Sequence, residues 1–450
     1  MTDIALDRSV LKLAGVVVVG AITPLLDMTM VTVALARIAN GFGASVLTVQ
    51  WVSAAYLLSI AITIPTTGRL VERFGARMMW LTALAVFCAG SALCATAWSA
   101  GSLIAFRVLQ GLGGGMIVPL TMMILVKAAG PDRRGRVMSL VAIPAQLAPI
   151  AGPLLGGLVV DTLGWPWIFL VNLPIGLTAM ALAWRVVPAD AVRRSGGLDL
   201  VGLALVSPAI ALLVLSLSGT ATWPAAIGGL LLLAAFAVHA LRSTMPLLDL
   251  RLFRHRPVTV ATVLNFLSRF SVFGAMILVP LYLQQVRGHN ALEAGLLLAP
   301  QSLGTVLALP LVGRLTDRIG ARPVALVGVG ITVAATVAFT QVTATSSFVV
   351  LAIALLVWGM GIAAATVPVS VAAYHGLNPA DIPGATSLIS TVTTIGASAG
   401  AAVVTSILQS RLGHHPTDPA AAFADTFWWV LAFTAVTLLP AMLLPVRRSE

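Results

Sequence analysis

Charge is scarce in this chain. Only 9% of its 450 residues are Asp, Glu, Lys or Arg, where a soluble domain carries roughly 25%, so water cannot be the solvent for most of it. Cysteine is nearly absent. Cys88 and Cys94 share one apolar stretch at a separation that puts them on largely opposite faces of a helix, so neither a disulfide framework nor a cysteine metal site follows. No Gly-x-x-x-x-Gly-Lys occurs, and Gly328-Val-Gly330 lies inside an apolar run with no strand before it, so no loop is expected to cradle a nucleotide. No polar stretch is long enough to hold a soluble domain. Neither an enzyme nor a resident cofactor is expected, and work must be driven by an ion gradient or by a substrate's own gradient.

Apolar length is what the chain does have. It is 59% hydrophobic, and windows of the ~20 residues that cross a bilayer as a helix recur near 13–35, 47–67, 78–98, 101–125, 136–160, 165–187, 198–218, 222–241, 258–283, 292–313, 323–342, 347–371, 385–408 and 424–446. Backbone groups in lipid must be satisfied internally, so a run of such windows predicts a helical bundle. The first window is followed by no small-residue cleavage pattern and reads as a retained span. An even number of spans puts both termini on one side. With the termini lie 21 basic residues, among them Arg8, Arg77, Arg134, Arg254 and Arg447; opposite lie Arg37, Arg287 and Arg411, and Arg107 and Arg269 fall inside spans, which accounts for all 26. The positive-inside rule then predicts cytoplasmic termini. The net charge of +11 is spread over short loops with no basic arm, so nucleic acid is not an expected partner; the lipid bilayer is.

One segment is repeated. Gly68-Arg-Leu-Val-Glu72-Arg73-Phe-Gly75-Ala-Arg77 returns as Gly313-Arg-Leu-Thr-Asp317-Arg318-Ile-Gly-Ala-Arg322, each copy following the second span of a six-span set. Duplication predicts two six-helix halves, residues 1–190 and 255–450, separated by a linker and two additional helices in 191–254, with Pro188 to Gly197 as the linker. Glu72 and Asp317 among arginines supply charge-assisted hydrogen bonds between helix ends, and the glycines permit turns or close approach. Such a pair of latches would favour one conformational state. Topology charge alone is the other account of the same residues.

Ionisable groups inside spans are expensive and therefore informative. Asp27 in the first span is a candidate proton site, since a buried carboxyl can be switched between charged and neutral forms by a neighbouring cation or a ligand; a structural hydrogen bond is the alternative. Arg269 lies about eleven residues, ~17 Å of helix rise, from the cytoplasmic end of its span. It should face a cavity or a partner. It belongs to the first helix of the second half, the counterpart of the helix bearing Asp27, so the two are expected to meet across a central cavity, or Arg269 to bind an acidic group on a substrate. Phe266, Phe270 and Phe273 recur beside it at helical spacing and suit either an amphipathic ligand or packing. Asn265, Gln284 and Trp358 are further cavity candidates. Arg107 shares a helix face with Gln110, Gly111 and Gly114, a polar, closely packed stripe that competes with simple snorkelling to the outer surface. Adjacent His414 and His415 lack further ligands, and no metal site is expected.

The loop repeats, Leu26-Asp27-Met-Thr-Met-Val-Thr-Val-Ala-Leu35, Arg107-Val-Leu-Gln110-Gly111-Leu-Gly113, Ala151-Gly152-Pro153-Leu-Leu-Gly156-Gly157 and Trp165-Pro-Trp167-Ile-Phe-Leu-Val-Asn172-Leu-Pro174-Ile-Gly176 together resemble the major facilitator superfamily, and more narrowly its fourteen-span drug:proton antiporter family. The likeness runs the length of the chain. It implies an all-α membrane protein of the major facilitator fold, two six-helix bundles plus two extra transmembrane helices. Arginine outnumbers lysine 24 to 2 and alanine is abundant, a bias that suggests a GC-rich bacterial genome and hence a bacterial inner membrane, where the chain is expected to work as a monomer. The resemblance implies proton-coupled export of small amphipathic organic compounds by alternating access, with Asp27 and Arg107 in proton coupling and Gly152, Pro153, Gly156 and Gly157 as the antiporter motif. In the resembling family, exporters of cations often carry acids in late spans, whereas the window at 385–408 has none, which favours neutral or anionic substrates. Export of a lipid or a dedicated metabolite, or import, on the same fold is the nearest alternative; a non-transporting membrane sensor or assembly partner is the alternative of another class.

Overall fold

The computed structural model describes residues 8–130, 133–189, 199–217, 223–289 and 291–445. Among them the backbone forms helices and no strand, the outcome that a lipid solvent demands of a chain with no closed barrel. The first six spans are α1 (Arg8–Phe42), α2 (Val46–Phe74), α3 (Ala76–Ala95), α4 (Ala100–Ala129), α5 (Arg134–Thr162) and the pair α6 (Trp167–Leu170) and α7 (Asn172–Val186). Two more follow, α8 (Leu200–Leu217) and α9 (Trp223–Arg242). The last six are α10 (Arg256–Gln285), the pair α11 (Ala291–Leu297) and α12 (Ala299–Ile319), α13 (Ala321–Phe339), α14 (Phe348–Ala372), α15 (Ile382–His414), and the pair α16 (Pro419–Val436) and α17 (Leu438–Ala441). Twelve segments among the described residues are long and apolar enough to cross a bilayer, and α5 and α8 occupy the other two expected windows. The expected linker falls, from position 190 to Gly197, outside the described residues.

Prolines explain the three divided spans. Each helix ends three or four residues before a proline that has no N–H to return: Leu170 before Pro174, Leu297 before Pro300, Val436 before Pro440. The tight joints between α2 and α3 and between α12 and α13 are each made by a single glycine in the left-handed region, Gly75 at φ 81° and Gly320 at φ 90°, a conformation that a side chain would strain.

The two sets of six helices pack alike. In the first, α1 lies along α5, and α4 is shared between α2 and α3; in the second, α10 lies along α15, and α14 is shared between α12 and α13. The sets meet along two seams, α2 against α15 and α5 against α12. Helix α8 packs on α9 and also touches both α2 and α15, so it lies over the first of these seams. Asp199, just before α8, ties this region together: its carboxylate accepts from Gly202 N at 2.7 Å and Leu247 N at 3.0 Å and stands 2.8 Å from His239 Nε2.

Candidate functional site

The centre of the first half is a buried polar knot in an apolar core. Asp27 on α1 and Arg107 on α4 are buried to 0% and 1% exposure. Neither could be held there charged without the other, because an unpaired ion in such surroundings costs several kcal/mol. Arg107 Nη1 donates to Asp27 Oδ2 at 2.5 Å and to Gln110 Oε1 at 2.7 Å, and its Nε donates to Val52 O at 3.1 Å. The guanidinium lies 3.8 Å from the centre of the Tyr56 ring, a cation–π contact in a desolvated setting. Asp27 Oδ1 accepts from Gln110 Nε2 and from Asn172 Nδ2, both at 2.9 Å. The same two amides reach Ser91 Oγ at 3.2 and 3.0 Å, and Ser91 donates onward to Phe169 O at 2.8 Å. Five spans thus meet in one knot, with α6 and α7 counted as one.

Helix α5 bears directly on this knot. Gly152 and Gly156 press against Thr29 and Met30 of α1, two and three residues beyond Asp27; a Cβ on Gly152 would overlap Thr29, and one on Gly156 would stand 3.0 Å from Met30 Cα. Thr29 Oγ1 also donates to Ala148 O at 3.1 Å. This close approach of two helices lies inside the first half. Gly157 has open space beside it. The side chain of Pro153 lies outside the described residues.

The expected meeting of Asp27 and Arg269 does not occur. All the polar partners of Asp27 come from the first half, and α10 packs chiefly against α14, α15 and α16, which keeps Arg269 with its own half. Among the described residues Arg269 makes no hydrogen bond or ion pair; its Nε is buried without a partner, and its guanidinium lies 5.8 Å from the centre of the Phe273 ring. Phe266 and Phe270 are 6.3 Å apart by ring centres, and Phe270 stands edge-on to Phe433 at 5.0 Å. Three cavity candidates lie elsewhere. Trp358 is in the apolar core of the second half, the buried Asn265 returns its amide to Ala261 O of its own helix at 3.0 Å, and Gln284 is exposed near the end of α10. Two cavities, of 550 and 290 Å³, are lined by other residues.

The two copies of the loop repeat are used differently. Asp317 crosses to the other half and caps α5, its Oδ1 accepting from Gly135 N at 2.8 Å and its Oδ2 from Arg136 N at 3.3 Å, where the helix N-terminus favours negative charge. Gly313 makes room, since a Cβ there would come within 2.9 Å of Gly135 O. In the first copy Glu72 pairs with Arg69 of its own helix at 2.5 Å, while Gly68 lets α2 approach α15: a Cβ would meet Pro383 O at 2.7 Å. Ser387 completes that contact by donating to Ile64 O and Pro65 O, at 2.8 and 2.9 Å. Arg73 lies beside the Phe74 ring at 5.1 Å. Arg77 donates to Trp184 O and lies over that ring at 4.7 Å, Arg318 is exposed, and Arg322 is half-buried. Arg134 adds a bond to Tyr374 O at 2.7 Å; burial pushes the Tyr374 hydroxyl above its ordinary range, against the opposing pull of Thr386 and Arg134. Every cross-half hydrogen bond described sits toward the end of the bundle where the arginine-rich loops lie.

Asn172, Ser91 and Tyr56 did not stand out in the sequence as site residues. Asn172 lies in a quoted motif, and the available signal was a strong hydrogen-bonding amide inside an apolar span.

The comparisons agree with this architecture. The family model for the Major Facilitator Superfamily matches residues 17–401 and 261–450. The multidrug resistance protein B homolog of Mycobacterium tuberculosis is 38% identical over 91% of this chain and 78% of its own length, and the multidrug export protein EmrB of Haemophilus influenzae is 31% identical over 87% and 79%. Among solved structures, the human organic anion transporter MFSD10 superposes with a TM-score of 0.69 at 18% identity, covering 98% of this chain and 100% of the other. The proton:xylose symporter XylE superposes at 0.64 with 17% identity, covering 96% and 94%; at such identities the likeness is one of fold. From paired helical halves, a buried ion pair and these relatives, the chain is a multi-pass membrane transporter, not an enzyme, and it belongs to the major facilitator superfamily, in its multidrug efflux branch.

Proposed function

We propose that this chain is a proton-coupled antiporter that exports small amphipathic organic compounds by alternating access. One observation carries the reading: Asp27, the single carboxylate deep within a span among the described residues, is fully buried and is matched by Arg107 in a knot that protonation would loosen. Residues 1–190 and 255–450 act as the two moving bundles, with 191–254 as the inserted linker and helix pair, and a single chain suffices. Both termini and the arginine-rich loops face the cytoplasm. The Asp317 cap on α5 and the α2–α15 contact then close the cytoplasmic side.

The coupling route follows from rigid parts. Protonating Asp27 removes the charge that holds Arg107 and frees α1 to shift. Thr29 and Met30 press on Gly152 and Gly156, and α5 carries that shift over about 25 Å of helix rise to Gly135, where Asp317 holds its N-terminus. A proton gained from outside thus biases the cytoplasmic closure toward opening, and its release inside restores it. Protonation must favour one state differentially to do this.

The test is a compound screen in proteoliposomes under an imposed pH gradient, comparing wild type with D27N. Wild-type protein should accumulate a compound against its gradient while dissipating the pH difference, and D27N should fold yet do neither. Proton flux unchanged by D27N would remove Asp27 from the mechanism. Absence of compound-dependent proton flux in wild type would refute the proton coupling.

A further inference from the structure

We propose that the transported compounds are organic anions, and that Arg269 is the group that receives their charge. The inference rests on the transport reading above and concerns which chemical class that pathway admits.

Charge inside the spans sets the first constraint. Asp27 and Arg107 cancel each other at 2.5 Å, and Arg269 is then the uncompensated charge deep in a described span. It lies about 20 Å of helix rise from Arg256 and about 24 Å from Gln285, too deep for the side chain to escape to either surface. A cation at that depth is maintained only beside water or a counter-charge. No carboxylate of either half supplies the counter-charge among the described residues, and the buried Nε lacks an acceptor.

The surroundings define the rest of the ligand. Arg269 shares a half-buried stripe of α10 with Phe266, Phe270 and Phe273, on a helix whose principal neighbours are α14, α15 and α16. A planar guanidinium beside aromatic rings suits a compound with a flat apolar body and a carboxylate, sulfonate or phosphate, since the fork of donors matches such groups. A cationic drug would bring a second positive charge against Arg269 in a low-dielectric site and be repelled. The neighbouring α15 offers it no acid inside the membrane: between Ile382 and Leu408 it carries none.

The experiment compares two probes with one ring system, naphthalene sulfonate and naphthyl trimethylammonium, binding to the full chain in lipid nanodiscs by titration calorimetry. Wild type should bind the sulfonate at least about tenfold more tightly than the ammonium, the effect of one charge-assisted hydrogen bond. R269Q should erase that preference and R269K should keep most of it, while neither changes the thermal stability enough to explain the result. Equal binding of the two probes by wild type, a preference for the ammonium, or an unaltered sulfonate preference in R269Q would each overturn the proposal. The wild-type comparison decides the matter even if R269Q fails to assemble. Binding needs no gradient, so the two readings fail separately. Loss of proton coupling in D27N with an unchanged anion preference in R269Q sinks the anion site alone; anion binding lost in R269Q with proton flux intact in D27N sinks the coupling alone.

Discussion

The Asp27–Arg107 pair can be weighed by a double-mutant cycle. In R107Q the carboxylate keeps the Gln110 and Asn172 amides but loses its counter-charge inside a core with no exposure. Removing one partner of a buried pair costs about 3–5 kcal/mol. In D27N the guanidinium keeps Val52 O, Gln110 Oε1 and the Tyr56 face, so its penalty belongs at the lower end, about 3 kcal/mol. The double variant D27N/R107Q buries no charge at all and should be destabilised by about 2–3 kcal/mol less than the sum of the singles. R107K keeps the charge but loses the flat stacking and the fork, and should fall between wild type and R107Q. Unfolding in mixed micelles, titrated with denaturing detergent and followed by tryptophan fluorescence, gives all four free energies. Additivity within about 0.5 kcal/mol would refute the view that the two groups stabilise each other, and with it the claim that neutralising Asp27 releases Arg107.

Other perturbations read other contacts. G152A places a methyl against Thr29 and should abolish transport or destabilise α5 by about 1–3 kcal/mol, whereas G157A, with nothing beside it, should transport normally; equal effects would separate the motif from the α1 contact. D317A removes the acceptors from Gly135 and Arg136 and, at about 1–2 kcal/mol for a lost charged cap, should raise maleimide labelling from the cytoplasmic side by about 5–30-fold for a cysteine at Ser139, a buried α5 residue that faces Gly313 of α12. No increase over S139C alone would show that the cap does not hold the closure. D199A deletes three interactions, about 1 kcal/mol each, and should speed hydrogen exchange at the Leu247 amide while leaving transport intact; full protection at Leu247 would show that Asp199 does not anchor the segment after α9.

Span number and helix content were legible because lipid leaves a chain few choices: twenty apolar residues between charged loops have one stable backbone. The three divided spans were not legible, because proline also sits inside undivided helices, at Pro24, Pro65 and Pro119 among others. Asp27 and Arg107 were each legible as costly residues, but their union was not. Azimuth accumulates error along a helix, and the partner of a carboxylate is chosen by five spans converging, which no local spacing encodes. The same reason misdirected Arg269: pseudosymmetry correctly made α1 and α10 counterparts, and that relation carries no information on which side chains touch. Asn172 and Ser91 were missed because one amide and one hydroxyl in an apolar span look like ordinary interhelical glue until the shared acceptor is seen. Trp358 shows the converse error, an aromatic residue that simply fills the core.

Helix α8 lies across the junction of α2 and α15, and no comparable accessory helix rests on the junction of α5 and α12 among the described residues. If bilayer-dissolved molecules reach the interior sideways, the molecule has one shuttered flank and one bare one. Its permeation route is then handed: a lipophilic guest diffusing in the leaflet would be admitted past α5 and turned away by α8, so bulky groups tethered on the α12 flank should throttle uptake that identical groups on α8 leave untouched.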